Sequence, residues 1–323
     1  MTATVVIPTL DARDLLRDAL ASLERQTVRP EVVVVDNASS DGTAELVRDE
    51  FPWARLVVNE DNLGFGRAVN RGAAQAESDV LVLLNNDVIC EPEFVERICE
   101  PFADESVGMA AGILLQSNAP DRVDSAGIEV DPTLRSFDYL WNRPAGELAA
   151  ARDPLGPCGG AAGYRLSAFR EAGGFDEAFF AYWEDVELAL RLRLAGWDCR
   201  LVPGARALHR HGATLGASSP AARRLEAFGR AYVLAKYRVR RGSRVTLLDW
   251  PPLLVHALVR RELGPIRERR RGLTEGRAHA ILGRVAPELA TVPYRESLRR
   301  QLAAAGLRAR GELPAHFYEE ARR

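Results

Sequence analysis

Apolar and polar positions along the first hundred residues switch between two periods. Residues 4–7 are a short apolar run closed by Pro8, as expected of a buried strand. Leu15, Leu16, Ala19, Leu20 and Leu23 then recur at helical spacing, with Asp11 as the expected N-cap. Residues 31–35 are rich in β-branched side chains, the kind of run buried on both faces of a parallel sheet. Two more short strands are expected at 55–58 and 80–84. Between them Asn62-Leu63-Gly64-Phe65-Gly66 opens a helix that runs to about residue 76. Pro92 stands where a further helix starts.

This strand–helix alternation predicts an α/β fold with a mostly parallel central sheet and helices on both faces. In such sheets ligands bind outside the carboxyl ends of the strands. Asp36 and Asp87 each follow an apolar strand directly, so both are expected to face one crevice. Residues 116–157, rich in Asp, Pro, Gly and Ser, read as long loops and short strands. A helix is expected over 185–195, stopped by Gly196. From about residue 220 the pattern is helical and Arg-rich, interrupted by Pro251-Pro252, Gly264-Pro265, Pro287 and Pro293.

The chain has 323 residues, 47% hydrophobic and 27% charged, ordinary for a globular protein. No apolar run reaches the roughly 20 residues of a membrane span. Met1-Thr2-Ala3-Thr4 leads straight into a strand without the pattern of a signal peptide, so a cytoplasmic protein is expected. Cys90, Cys99, Cys158 and Cys199 form no C-x-x-C pair, which speaks against a zinc knuckle or a thioredoxin-like motif and for reduced thiols. Charge is unevenly spread. Residues 215–323 hold 23 Lys+Arg against 10 Asp+Glu, and residues 1–214 hold 20 against 35. The basic part suits either peripheral contact with an anionic membrane or lipid-linked diphosphate, over 223–310, or a solvated Arg-rich face. No nucleic-acid module is recognisable.

Three groups offer chemistry. Asn85-Asn86-Asp87 follows a strand; Asp87 there can ligate a divalent metal and Asn85 can bond a ribose or phosphate. Tyr182-Trp183-Glu184-Asp185 places Asp185 at a helix start, where the helix dipole favours a carboxylate able to act as base. His209-Arg210-His211 offers an imidazole for a metal site. Taken alone, each is more often a turn, a cap or a surface histidine.

In combination the motifs resemble family 2 glycosyltransferases, above all their rhamnosyltransferase-like branch. The resemblance is carried by Val5-Val6-Ile7-Pro8-Thr9, by Val34-Val35-Asp36-Asn37 through Thr43, and by Asn62-Leu63-Gly64-Phe65-Gly66-Arg67. It continues through Leu83-Leu84-Asn85-Asn86-Asp87, Gly173-Gly174-Phe175-Asp176, Trp183-Glu184-Asp185 and His209, in family order over residues 3–215. It implies a GT-A domain at 1–215, with a nucleotide half at 1–110 and an acceptor half at 111–215, followed by a helical basic extension at 216–323.

The resemblance implies that Pro8, Thr9, Asp36, Asn62, Gly66, Arg67 and Asn85 hold the donor nucleotide-sugar. It makes Asp87 and His209 ligands of Mg2+ or Mn2+, with His209 a better match than His211. Asp185 becomes the base of an inverting displacement, and Trp183, Glu184, Gly159 and Gly160 line the acceptor side. Asn85 departs from the acidic form of the family's metal motif and leaves one fewer anionic ligand. The implied donor is dTDP-rhamnose, with UDP-hexoses next, and the implied acceptor a surface glycan or polyprenyl-linked sugar. A dinucleotide oxidoreductase is excluded because no G-x-G-x-x-G follows the first strand. A nucleotidylyltransferase lacks its Gly-rich loop there, and a non-catalytic sugar-binding relative would be expected to lose Asp87 or Asp185.

Overall fold

A computed structural model describes residues 1–210, 219–239, 263–281 and 289–301. They fall into two compact units, one comprising residues 1–129 and 138–214, the other 130–137 and 215–323.

The first unit is built on a nine-stranded sheet. Its strands are β1 (Ala3–Thr9), β2 (Glu31–Asp36), β3 (Arg55–Val58), β4 (Val80–Leu84), β5 (Val88–Cys90), β6 (Val107–Gln116), β7 (Ala119–Ser125), β10 (Ala161–Arg165) and β11 (Asp198–His209). The order is β3-β2-β1-β4-β10-β6-β11-β5, and β7 pairs with β6. Six strands run one way, while β5, β7 and β10 are reversed. A short β8 (Ile128–Val130) and β9 (Ser136–Asp138) pair separately.

Helices α1 (Arg13–Glu24), α2 (Thr43–Glu50), α3 (Phe65–Ala73), α4 (Phe94–Cys99), α5 (Leu166–Glu171) and α6 (Glu184–Leu194) connect the strands. The expected alternation is present through β4. Val5, Val6, Ile7 and residues 32–35 are buried, as double coverage of a parallel sheet demands. Asp11 is not the N-cap of α1. That position is Ala12, with no side-chain cap, and Asp11 sits at φ 45°. Its carboxylate accepts from Ser40 N at 2.7 Å and its own N–H donates to Ser39 Oγ at 2.9 Å. It therefore latches the loop after β1 to the loop after β2, instead of satisfying a helix end.

The second unit contains α7 (Pro220–Lys236), α8 (Gly264–Ala278) and a helical segment over 294–301. Helices α7 and α8 touch through glycine. A Cβ on Gly272 would lie 2.3 Å from the Phe228 carbonyl, and one on Gly276 2.4 Å from that of Tyr232. Segment 130–137 is gripped within this unit. Asp131 is fully buried; it accepts from Thr133 N at 2.7 Å and from Ser297 Oγ at 2.6 Å. Arg230 donates to the Thr133 carbonyl at 2.7 Å, and Thr291 N to the Val130 carbonyl at 2.8 Å. Among the described residues no helix is long and apolar enough to cross a membrane. His211 and much of 216–323 lie outside the described residues.

Candidate active site

The carboxyl ends of β1, β2 and β4 come side by side because β1 pairs in register with both β2 and β4. Pro8 and Thr9 are buried at the end of β1, and Asp36 is 1% exposed at the end of β2. Asp36 Oδ1 accepts from Ser39 N at 3.0 Å. Thr9 Oγ1 accepts from Asn86 Nδ2 at 3.0 Å, which ties the first strand to the Asn85-Asn86-Asp87 turn. Asn37 donates to the Gly64 carbonyl at 3.2 Å and accepts from Asn59 at 2.7 Å. Asn62 Oδ1 accepts from Gly64 N at 2.9 Å. Two loops beside the crevice are thus held before any ligand arrives.

Gly66 is buried in the first turn of α3, where a Cβ would press on Phe175 at 3.2 Å. Arg67 is half exposed, 3.6 Å from Glu177. Of the residues implied to hold the donor, Gly66 thus has a packing reason of its own.

Asp87 and His209 meet. Strand β11 pairs antiparallel with β5, and Arg210 N donates to the Asp87 carbonyl at 3.0 Å. This lacing brings His209 Nε2 within 3.3 Å of Asp87 Oδ1. That oxygen is buried and takes no hydrogen bond of good geometry. On the far side of the ring, His209 Nδ1 lies 2.6 Å from Asp124 Oδ2. Asp124 was not singled out by any motif; it comes from β7, in the loop-like region 116–157. Burial alone would favour a neutral ring, but the hydrogen bond to Asp124 and the close approach of Asp87, with their charges, raise the His209 pKa to about 10. A metal ion and that proton compete for Nε2.

Asp185 lies in the first turn of α6. Its Oδ2 accepts from Gly159 N at 3.1 Å and its Oδ1 from Val186 N at 2.8 Å. Burial pushes its carboxyl above the usual range, while hydrogen bonds from Gly159 and Val186 N–H groups pull the other way. Glu184 is more deeply buried, and burial followed by the Asp185 charge lifts it to about 8. Its Oε2 is buried without a hydrogen-bond partner. Tyr182 and Trp183 enter α6 at φ 66° and 78°, a left-handed pair that costs about 1–3 kcal/mol per residue.

The approach to Asp185 is anchored from two sides. Asn70 brackets Phe175, donating to its carbonyl and accepting from its N–H, both at 2.9 Å. Arg191, paired with buried Glu187, donates to the Gly174 carbonyl at 2.7 Å.

Gly159-Gly160 joins the two chemical ends. Gly159 holds Asp185, while Asn85 N donates to the Gly160 carbonyl at 3.4 Å. A Cβ on Gly160 would sit 3.1 Å from Leu114 and 3.2 Å from Asn85. No side chain fits there without moving Asn85.

Among the described residues no group of three or more His, Cys, Asp or Glu could hold a metal ion by itself, so the Asp87–His209 end offers a divalent ion two protein donors and leaves its other positions to the diphosphate. The residues present are an anionic oxygen, buried without a well-formed hydrogen bond, and an imidazole nitrogen facing it.

Comparison with known proteins gives the family and the fold. The Glycosyl transferase family 2 profile matches residues 4–173. The N-acetylglucosaminyl-diphospho-decaprenol L-rhamnosyltransferase of Mycobacterium tuberculosis H37Rv is 31% identical over 309 residues, covering 84% of this chain and 98% of that protein. The O-antigen chain rhamnosyltransferase RfbN of Salmonella typhimurium LT2 is 25% identical, covering 66% of this chain and 68% of that one. In structure, a mannosyltransferase from Pyrobaculum calidifontis, solved with GDP-Man and Mn2+, superposes with TM-score 0.55 at 18% identity. That match covers 94% of this chain and 80% of the other. The fold is GT-A, and the chain belongs to glycosyltransferase family 2, in its rhamnosyltransferase-like branch.

Proposed function

We propose that this glycosyltransferase moves a sugar from a nucleoside diphosphate donor to a hydroxyl of a glycan or polyprenyl-linked acceptor in cell-surface polysaccharide synthesis. dTDP-rhamnose is the first donor to test, and UDP-hexoses the next. The observation that carries the reading is the Gly159-Gly160 bridge, which sets Asp185 and Asn85 on one dipeptide. The Mycobacterium and Salmonella relatives, both rhamnosyltransferases by name, support the choice of donor.

Asp36, Thr9 and the latched loops hold the nucleoside. Asp87 and His209 hold Mg2+ or Mn2+, which when bound offsets the charge that grows on the leaving diphosphate. Asp185 takes the proton from the acceptor hydroxyl as its oxygen bonds to the anomeric carbon. The anomeric carbon–oxygen bond breaks, and its electron pair leaves with the nucleoside diphosphate. One displacement inverts the anomeric centre. Trp183, Glu184, Gly159 and Gly160 stand on the acceptor side, and burial followed by the Asp185 charge raises the Glu184 carboxyl, which favours its protonated form beside the base. Residues 1–215 form the catalytic domain in this reading, and 216–323 are its extension.

The donor is tested by a thermal-shift panel of nucleoside diphosphates and their sugars with Mn2+. dTDP-rhamnose is expected to give the largest shift; a larger shift by UDP- or GDP-sugars sinks the donor assignment. The pH dependence follows from Asp185. Its raised pKa means the working carboxylate is lost as pH falls through a value above the ordinary Asp range. The acid limb of kcat is therefore expected above the ordinary Asp value. A limb at or below the free Asp value contradicts an Asp185 base.

The extension is proposed to touch anionic membrane peripherally, on the inner face of the cytoplasmic membrane. Arg267, Arg270 and Arg271 are exposed on α8, whereas Arg269 is buried. Each exposed arginine near an anionic surface contributes about 1 kcal/mol. Changing these three to Glu is expected to abolish salt-sensitive flotation with phosphatidylglycerol vesicles. Equal flotation of wild type and variant contradicts the contact.

A further inference from the structure

We propose that Asp124 is the positioning residue of the metal–diphosphate end: held on a β-bulge, it fixes the His209 ring so that Nε2 faces the ion beside Asp87. The proposal rests on the metal reading above and adds a third side chain to it, from a strand outside the motifs.

The backbone gives the first reason. Strand β7 pairs with β6 through Leu114↔Ser125 and then Leu115↔Val123. The register shifts between these two pairs, a bulge at Asp124. Such a bulge re-aims one side chain and is common beside active sites. On the other edge of β6, Gln116 pairs with His209. The bulged carboxylate and the histidine are thus carried by two strands flanking one central strand.

Side-chain geometry gives the second. Asp124 Oδ2 lies 2.6 Å from His209 Nδ1, and His209 Nε2 lies 3.3 Å from Asp87 Oδ1. Asp124, Asp87 and His209 are 3%, 6% and 8% exposed. An imidazole whose Nδ1 donates to a carboxylate presents the Nε2 lone pair outward, with its plane fixed and its basicity raised. Asp124 sits across the ring from Asp87, so it cannot share the same ion; its action passes through the ring.

The test is calorimetric titration of Mn2+ into the full chain in the presence of dTDP, for wild type, Asp87→Ala, His209→Ala, Asp124→Asn and the Asp124→Asn/His209→Ala pair. Asp124→Asn is expected to weaken Mn2+ binding about 10- to 100-fold, with dTDP affinity in EDTA unchanged. In the His209→Ala background the same change is expected to cost nothing further. Mn2+ binding by Asp124→Asn equal to wild type overturns the proposal, as does a loss that adds in full on His209→Ala. Equal binding by wild type and Asp87→Ala removes the metal reading itself and the proposal with it. Should Asp124→Asn not fold, Asp124→Glu carries the test. The longer carboxylate tilts the ring and is expected to weaken Mn2+ several-fold; wild-type affinity there overturns the proposal.

Discussion

Asp185→Asn is expected to lower kcat by about 100- to 10,000-fold, the range that a positioned general base contributes, while leaving donor affinity within about twofold. The substitution is nearly isosteric. Asn Oδ1 can still accept the Gly159 N–H that now meets Asp185 Oδ2 at 3.1 Å, so the bridge to Asn85 survives, while the Val186 N–H now 2.8 Å from Oδ1 loses its acceptor. What disappears is the ability to accept the acceptor proton.

Stability separates this loss from misfolding. A carboxyl whose folded pKa is raised, as that of Asp185 is, binds its proton more tightly in the folded state. Above the unfolded pKa it therefore subtracts stability as the buried group is forced to ionise. Asn carries no such cost. That relief offsets the lost Val186 N–H bond, so the unfolding midpoint of Asp185→Asn at pH 7 is expected to stay close to that of wild type. Near-wild-type turnover would remove Asp185 from the base role; a large drop in midpoint would make the activity loss uninformative.

Asp87→Ala is expected to cost about 100-fold or more in apparent Mn2+ affinity, since even groups behind a ligand cost 10- to 100-fold. The Mn2+ dependence of the initial rate reads this directly. Asn85 is neutral, and among the residues of the Asn85-Asn86-Asp87 turn only Asp87 brings a charge to the ion. Its removal also leaves His209 with Asp124 as its remaining carboxylate. Excess metal is then expected to restore part of the rate but not its wild-type ceiling. A metal dependence unchanged by the substitution contradicts Asp87 as a ligand.

Much of the nucleotide end was legible in the sequence, because each strand there is a continuous apolar run and each functional residue follows one directly. Val80–Leu84 into Asn85, and Glu31–Asp36, needed only periodicity and strand ends. Helix α6 was also legible: Gly196, at φ 94°, ends it as expected. Strand β10 was not. Its residues Ala161-Ala162-Gly163 are poor strand formers, and Tyr164 alone favours a strand. Gly163 lies close under α4 and the turn after it: a Cβ there would meet Ile98 at 3.1 Å and Phe102 at 3.2 Å.

Asp11 misled for a related reason. An Asp before an amphipathic helix reads as a cap, but here a loop 28 residues away in sequence, at Ser39, competes for it. Asp124 left no local signal at all. It is an acidic residue in a polar stretch, and only the three-strand arrangement of β7, β6 and β11 brings it to His209. Residues whose role depends on local period were readable; those whose role depends on which strands become neighbours were not.

In the proposed reaction Asp87 serves the donor's diphosphate and Asp185 the acceptor's proton, at two ends of one site. Calorimetric binding of the donor's nucleoside diphosphate, with and without Mn2+, to wild type, Asp87→Ala and Asp185→Asn separates the two roles. Mn2+ is expected to tighten binding to wild type and to Asp185→Asn alike, and this increment is expected to vanish in Asp87→Ala. An increment that survives Asp87→Ala, or one that disappears in Asp185→Asn, would contradict those roles.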